Sequence, residues 1–255
     1  MSTLQPLALP ADAAPEAWSA LLNERAGGGL ERSRSLLERL RGLHEGDDAA
    51  LTVWNELGIE LANSSAICSL ISEVHPDAGV RTLGEDLIQE IGRFRTDIML
   101  DAEVFARLQA ISAAGLDERL GSGAERVLAD SLRSYRRSGV DADDAVRDRL
   151  RALNERLTEL EQAFGRTIRD AATTTRVPAS ALEGLPDDYV AAHPVDDDGT
   201  VAIGTGYPDT NPFLTFSADR DARHAVHATF LDLGWPANDA HLGELLALQI
   251  GRAHV

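Results

Sequence analysis

The fold is decided by residues 141–170, which read DADDAVRDRLRALNERLTELEQAFGRTIRD. Apolar side chains recur along this stretch at steps of three and four residues, with Arg, Asp, Glu and Gln between them. They are Val146, Leu150, Leu153, Leu157, Leu160, Phe164 and Ile168. This spacing predicts one long helix with a single apolar face. Asp141 follows an expected helix stop at Gly139 and is predicted to cap the new helix.

The segment after Asp170 favours extended backbone and then a short turn. Three consecutive threonines, Thr173–Thr175, are β-branched, and the proline at position 178 cannot continue a helix. Residues 180–189 read SALEGLPDDY, which predicts a short helical turn closed by Gly184 and Pro186. The long helix is therefore expected to end at Asp170.

The chain before residue 141 carries further helical patterns. Residues 1–14 are rich in Pro and Ala and are expected to form an extended lead-in. The predicted helices are 15–27, 30–43, 48–73, 80–100, 101–114 and 117–138. The glycines at 27–29 are expected to end the first of them. Short connections favour antiparallel neighbours, so residues 15–171 are predicted to form a mainly α, antiparallel bundle-like lobe.

The pattern changes beyond residue 189. Residues 193–199 form a predicted turn, and residues 200–206 alternate as a short strand does. Ser217 can cap a helix over 218–233, and another helical pattern begins at Leu242. A short β-hairpin or strand segment near 187–216 is therefore expected, and 172–249 is predicted to be a separate region with short strands and two helices.

Composition excludes several functional classes. The chain has 255 residues, 44% of them apolar, which is enough for a sizeable core. All 24 basic residues are arginine, and the formal net charge of −18 argues against binding to nucleic acid or to anionic lipid. Cys68 is the single cysteine and has an apolar setting, so we expect a core residue in a reducing compartment. The first residues lack the pattern of a signal peptide and no apolar run reaches membrane-span length, so a soluble cytoplasmic protein is expected.

Several polar groups are candidate metal ligands. Residues 44–48 read HEGDD, where a zinc-peptidase helix would carry His-Glu-x-x-His, and the simpler interpretation is a solvated helix end. His224 and His227 could share a helix face, but two imidazoles leave zinc short of ligands. The simpler interpretation there is one partly exposed and one packed histidine.

Two further groups have simple structural explanations. His75 precedes Pro76 at a helix stop, which favours capping or solvent exposure. The acidic run 196–198 lacks the spacing of a calcium loop and is expected to be a solvated turn.

Several motifs resemble a known family. Residues 157–170 read LTELEQAFGRTIRD, residues 182–189 read LEGLPDDY and residues 207–216 read YPDTNPFLTF. Together they resemble the zinc metallopeptidases of the thimet oligopeptidase family, over nearly the whole chain from about residue 17 to residue 249. The resemblance identifies residues 207–216 with a short sheet segment and the Tyr-Pro, Pro-Phe element before the next helix.

The resemblance implies a function for a larger protein. The family's enzymes are mostly helical, with two lobes flanking a deep channel, and hydrolyse short peptides with zinc held by a His-Glu-x-x-His helix and a later Glu. The sequence contains no His-Glu-x-x-His. The chain would therefore be the N-terminal part of such an enzyme, with its zinc ligands downstream, no catalytic, cofactor-binding or metal-binding residue of its own, and no activity alone.

The last six residues, 250–255, read IGRAHV and depart from the family pattern. One reading frame of a common sequencing-adapter DNA encodes the same six residues, so we expect a truncated gene model with an artefactual tail. Surfaces meant for a missing half would then be exposed, and Phe213, Phe216 and Trp235 are candidates. The competing hypotheses are a noncatalytic helical binding or scaffold module and a small metalloprotein using His224 and His227.

Overall fold

A computed structural model describes residues 9–10, 14–44, 46–47, 49–115 and 121–253. The chain divides into two compact units, Met1–Glu159 with Gly251–Val255 and Leu160–Ile250. The described residues are mainly helical with one two-stranded antiparallel sheet, which confirms the predicted mainly α class. None of the helices within the described ranges combines the length and apolar character that crossing a membrane requires.

Helices build the described part of the first unit. They are α1 Pro15–Leu22, a π-helical segment Asn23–Gly27, α2 Gly28–Gly42, α3 Ala49–Val74, α4 Ala78–Met99, α5 Ala102–Ala113, α6 Ser122–Arg137 and the beginning of α7, Asp144–Asp170. Helices α3 and α4 pack along each other across the short connection 75–77, and α2 packs on α3. One apolar core joins α1 to α6, with Leu22, Leu40, Leu57, Ile91 and Leu108 among its fully buried side chains.

The glycines at 27–29 do not end the first helix. The chain continues from α1 through the π-helical segment directly into α2, so the predicted stop is wrong. Gly29 instead faces α3, where a Cβ atom would lie 2.1 Å from the Ser64 hydroxyl oxygen. The missing side chain lets two helix backbones approach closely, which explains this glycine without a helix break.

Aspartate side chains cap several helices. Asp77 accepts a hydrogen bond from the Val80 amide at 2.9 Å. The long helix begins at Asp144, and the Asp143 carboxylate accepts from the backbone amide three residues later at 2.9 Å. The predicted cap at Asp141 is therefore wrong by two residues, because three nearby aspartates offer the same chemistry.

The second unit contains the end of α7 and the sheet. Its elements are β1 Thr174–Pro178, a 3₁₀ turn Ala179–Leu182, α8 Asp187–Ala192, β2 Thr200–Gly204, α9 Tyr207–Phe216, α10 Arg220–Leu231 and α11 Asp239–Ala253. Strands β1 and β2 are antiparallel, with Thr174 opposite Gly204 and Pro178 opposite Thr200. A separate core includes Val177, Leu182, Tyr189, Ile203, Phe213 and Val226.

The strand segment expected near 187–216 is only partly correct. It contains β2, but β1 lies earlier, in the threonine run that was predicted to be extended. Residues 207–216 form helix α9, so the sheet segment expected there is wrong. Pro208 occupies the first turn of α9, where a missing amide proton does no harm, and the Thr210 hydroxyl donates to the Gly204 carbonyl at 3.0 Å.

Candidate functional site

Tyr189 connects two of the segments that carry the family resemblance. It lies in α8, and its hydroxyl donates a 2.7 Å hydrogen bond to the backbone carbonyl of Asp209 in α9. The His193 ring stacks on the Tyr189 ring with centroids 4.1 Å apart. Nε2 of His193 lies 3.5 Å from the Asp209 carboxylate. We call Tyr189, His193 and Asp209 the 189–209 junction.

The Asp209 carboxylate extends this junction to the sheet. Its second oxygen accepts from the backbone amide of Gly204 at 3.2 Å, at the end of β2. A Cβ atom at Gly204 would lie 2.3 Å from that oxygen, so the close approach depends on glycine. Asp209 lies in the first turn of α9 and contacts both the end of β2 and His193, the residue after α8. This single aspartate therefore links the three segments.

The electrostatics of the junction favour a neutral phenol. Burial raises the pKa of Tyr189 to about 12, and the negative charge of Asp209 acts in the same direction. The hydroxyl proton is already given to a backbone carbonyl, and Nδ1 of His193 contacts the Tyr189 carbonyl at 2.8 Å. The Tyr189 hydroxyl and the His193 ring thus both bind backbone carbonyls. This geometry indicates a structural role for the two side chains.

Both histidines of α10 are exposed. His224 and His227 lie on the solvent side of the helix, whereas Ala222 and Val226 supply its buried positions. The expectation that one of the two histidines packs is therefore wrong, because both lie on the side of the helix away from Ala222 and Val226.

Metal ligands do not come together in the described part of the chain. Across those residues no group of three or more His, Cys, Asp or Glu side chains is placed to hold an ion. His44 is exposed just beyond the end of α2, while Glu45 and Asp48 of the same sequence pattern lie outside the described residues.

The acidic run at 196–198 forms a turn, as predicted. The Asp198 carboxylate accepts from the amide and hydroxyl of Thr200 at 3.0 and 2.7 Å. These hydrogen bonds lower the pKa of Asp198, and the charge of Arg176 adds to the effect. Arg176 of β1 also pairs with Asp196, so the turn is fastened to the opposite strand.

Two chemically versatile side chains of the first unit belong to its core. Cys68 is fully buried, and burial raises the pKa of its thiol to about 12, which confirms the predicted core role. His75 is also buried, with its ring 5.0 Å from Trp18 and its Nδ1 accepting from the Asp77 amide at 3.1 Å. The solvent exposure expected as one explanation for His75 is therefore wrong, and its ring bonds to the connection before α4.

The three aromatic residues that were expected at an exposed surface differ in their exposure. Trp235 and Phe216 are 64% and 51% exposed, whereas Phe213 lies fully inside the core of the second unit. Tyr207 is also exposed and meets the Phe230 ring edge to face at 5.6 Å. The second unit thus presents several large apolar side chains to solvent.

Ion pairs lie along the exposed helix faces of the first unit. Arg133 pairs with Asp130 on the same helix at 3.0 Å. The Arg136 guanidinium lies 5.6 Å from the centre of the Phe105 ring, a cation–π contact that the sequence did not indicate. Exposed pairs of this kind contribute little individually.

His193 and Asp209 were not singled out from the sequence. The spacing of Tyr189 and His193, four residues apart at a short helical pattern, could have indicated that they share one face. Their contact with Asp209 depends on the path of residues 194–206, which local spacing does not reveal.

No family model matches the chain.

Proposed function

We propose that this chain is the N-terminal, noncatalytic part of a cytoplasmic zinc-dependent oligopeptidase similar to the thimet oligopeptidase family. Its helices would supply one wall of a channel that admits short peptides, and its small sheet would begin the peptidase domain. The chain alone would not hydrolyse peptides.

The contact between two motifs carries this proposal. Residues 182–189 and 207–216 are separate in sequence, yet Tyr189 donates to the backbone of Asp209. Gly184 approaches Phe216 so closely that a Cβ atom would lie 2.6 Å from its carbonyl oxygen. A helical binding module would not need both motifs. Their contact with each other therefore supports the interpretation that both motifs come from the same family.

The described residues do not fit a zinc site. They contain no group of three candidate ligands, and the sequence has no His-Glu-x-x-His. The metal would be held by residues outside these 255, so no catalytic step is assigned to this chain. Its contribution would be structural, through the channel wall and the junction that orders the start of the second domain.

Peptide hydrolysis tests the proposal. The 255-residue chain and any longer product of the same gene would be incubated with a short internally quenched fluorescent peptide, with zinc and with a chelator. We expect no hydrolysis by the chain, and hydrolysis by the longer product that a chelator removes and zinc restores.

If the 255-residue chain itself hydrolyses the peptide, a double variant tests whether the two histidines of α10 hold the metal. Zinc-dependent hydrolysis by the 255-residue chain that H224A/H227A abolishes would place the metal site in α10 and overturn the proposal. A longer product that folds but remains inactive with zinc would also contradict it.

A further inference from the structure

Helices α3 and α4 enclose a small apolar pocket in the first unit. It has a volume of about 170 Å³ and an open mouth. Leu57, Leu61 and Ile98 form its floor, and all three are buried members of the main core. Because these side chains are fixed by core packing, the floor exists without any ligand.

The Trp54 side chain forms a rigid wall of this pocket. Its indole N–H donates to the Ser131 hydroxyl at 2.9 Å, and its ring packs against Tyr135 with centroids 5.7 Å apart. The hydrogen bond and the ring contact fix the orientation of the indole. A ligand would therefore meet a preorganised aromatic surface, which lowers the entropy lost on binding.

Arg95 supplies the charge at the pocket. Among the described residues of the lining it is the only charged one, and its side chain is exposed. No residue of the described ranges forms an ion pair with it, whereas its neighbour Arg93 pairs with Glu155 at 3.3 Å. A cation with no ion pair to a described residue therefore lies beside an apolar pocket, in a chain of net charge −18.

We propose that this pocket binds a small monocarboxylate carrying an apolar group of about the size of a phenyl ring. A dry cavity of ~150 Å³ accommodates benzene, so the ring would enter between Trp54 and the leucines. The carboxylate would remain at the mouth and pair with Arg95, which offers a planar fork of donors. The pocket is too small for a partner helix, and the inference does not depend on the proposed peptidase function.

Gly58 provides a way to close the pocket. It lies in the lining, and a Cβ atom at this position would have no neighbour within 4 Å. A leucine introduced here has room to enter the cavity, and replacing a helical glycine favours the helix. Gly58→Leu is thus expected to fold while blocking the site.

Nuclear magnetic resonance of the whole chain tests the site with 3-phenylpropionate and its neutral analogue 3-phenylpropanamide. The indole N–H signal of Trp54 should move saturably, while those of Trp18 and Trp235 stay in place. The amide should bind about threefold more weakly, the size expected from losing an exposed ion pair. Arg95→Gln should remove this preference for the acid.

Arg149→Gln is the matched control. Arg149 is an exposed arginine of α7 outside the pocket lining, so its loss lowers the net charge equally and should leave binding unchanged. Gly58→Leu should weaken binding by at least about tenfold, the loss expected when the volume for the ring is filled. An unmoved Trp54 signal, equal affinity for acid and amide, or unchanged binding in Arg95→Gln would overturn the proposal. Tighter binding of a tetrapeptide with a C-terminal phenylalanine would instead assign the pocket to peptide ends.

Discussion

Replacing Gly184 by alanine should destabilise the second unit. Gly184 has a φ of +91°, and a Cβ atom would lie 2.6 Å from the Phe216 carbonyl oxygen. The left-handed conformation alone costs a residue with a side chain roughly 1–2 kcal/mol. Relieving the clash must move the end of α9 away from residues 181–184.

That movement strains two hydrogen bonds. The Ser217 hydroxyl donates to the Ala181 carbonyl at 2.7 Å, and the Ala218 amide donates to the Glu183 carbonyl at 3.1 Å. Each such bond contributes about 1 kcal/mol. Together with the backbone strain, the expected loss for Gly184→Ala is about 2–4 kcal/mol of unfolding free energy.

Gly199→Ala is the matched control. Gly199 has a φ of +77°, similar to that of Gly184, but a Cβ atom there would meet nothing within 4 Å. This variant should therefore lose only the roughly 1–2 kcal/mol of backbone strain. The difference between the two variants isolates the contact of residues 182–189 with the end of α9.

Amide hydrogen exchange on peptides covering β1 and β2 measures this difference in the second unit alone. A loss of 2 kcal/mol accelerates exchange through global opening by about 30-fold. Gly184→Ala should therefore exchange clearly faster than Gly199→Ala. Equal acceleration in the two variants would show that the contact of Gly184 with Phe216 contributes nothing to the stability of the second unit.

Three further predictions concern the first unit. Gly29→Ala should lower the free energy of unfolding in urea by about 1 kcal/mol, because its Cβ would displace the buried Ser64 hydroxyl; an unchanged midpoint would contradict this. Tyr135→Phe should change that free energy by less than about 0.5 kcal/mol or raise it, since the buried hydroxyl has no hydrogen-bond partner among the described residues; a larger loss would reveal a partner. Burial raises the pKa of Cys68 to about 12, whereas the thiol of the unfolded chain has a pKa of about 8.5. The contribution of the neutral thiol to stability is therefore complete below about pH 8.5 and falls as the pH rises toward about 12. A disulfide reagent at pH 8 should modify Cys68 only as fast as the protein opens, and immediate modification would disprove its burial.

Local patterns predicted most of the helices. The long amphipathic stripe of α7 and the threonine run of β1 each contain their own signal, because side-chain periodicity and β-branching act within a few residues. The end of α7 at Asp170 and the extended backbone at Thr174 were predicted from these signals and are confirmed.

The errors arose where tertiary contacts outweigh local preference. The glycines at 27–29 usually indicate a helix end, but Gly29 is required for the approach to Ser64. Residues 207–216 carry two prolines, yet contacts with Gly204 and Tyr189 hold them in a helix. His75 is buried against Trp18, which lies far away in sequence.

The 189–209 junction and the pocket could not be predicted from residue spacing, because both depend on tertiary contacts. Asp209 meets His193 through the path of the intervening strand. Arg95 and Gly58 line one pocket because α3 and α4 pack side by side, and neither residue carries a motif of its own.

We propose that this chain belongs to a longer zinc-dependent oligopeptidase. Sequencing the source locus past the codon for Gln249 tests it most directly. We expect an in-frame extension that replaces residues 250–255 and encodes a helix with His-Glu-x-x-His, followed by a downstream Glu. A genuine stop codon directly after Val255 would contradict the peptidase proposal and leave a noncatalytic helical binding module as the better hypothesis.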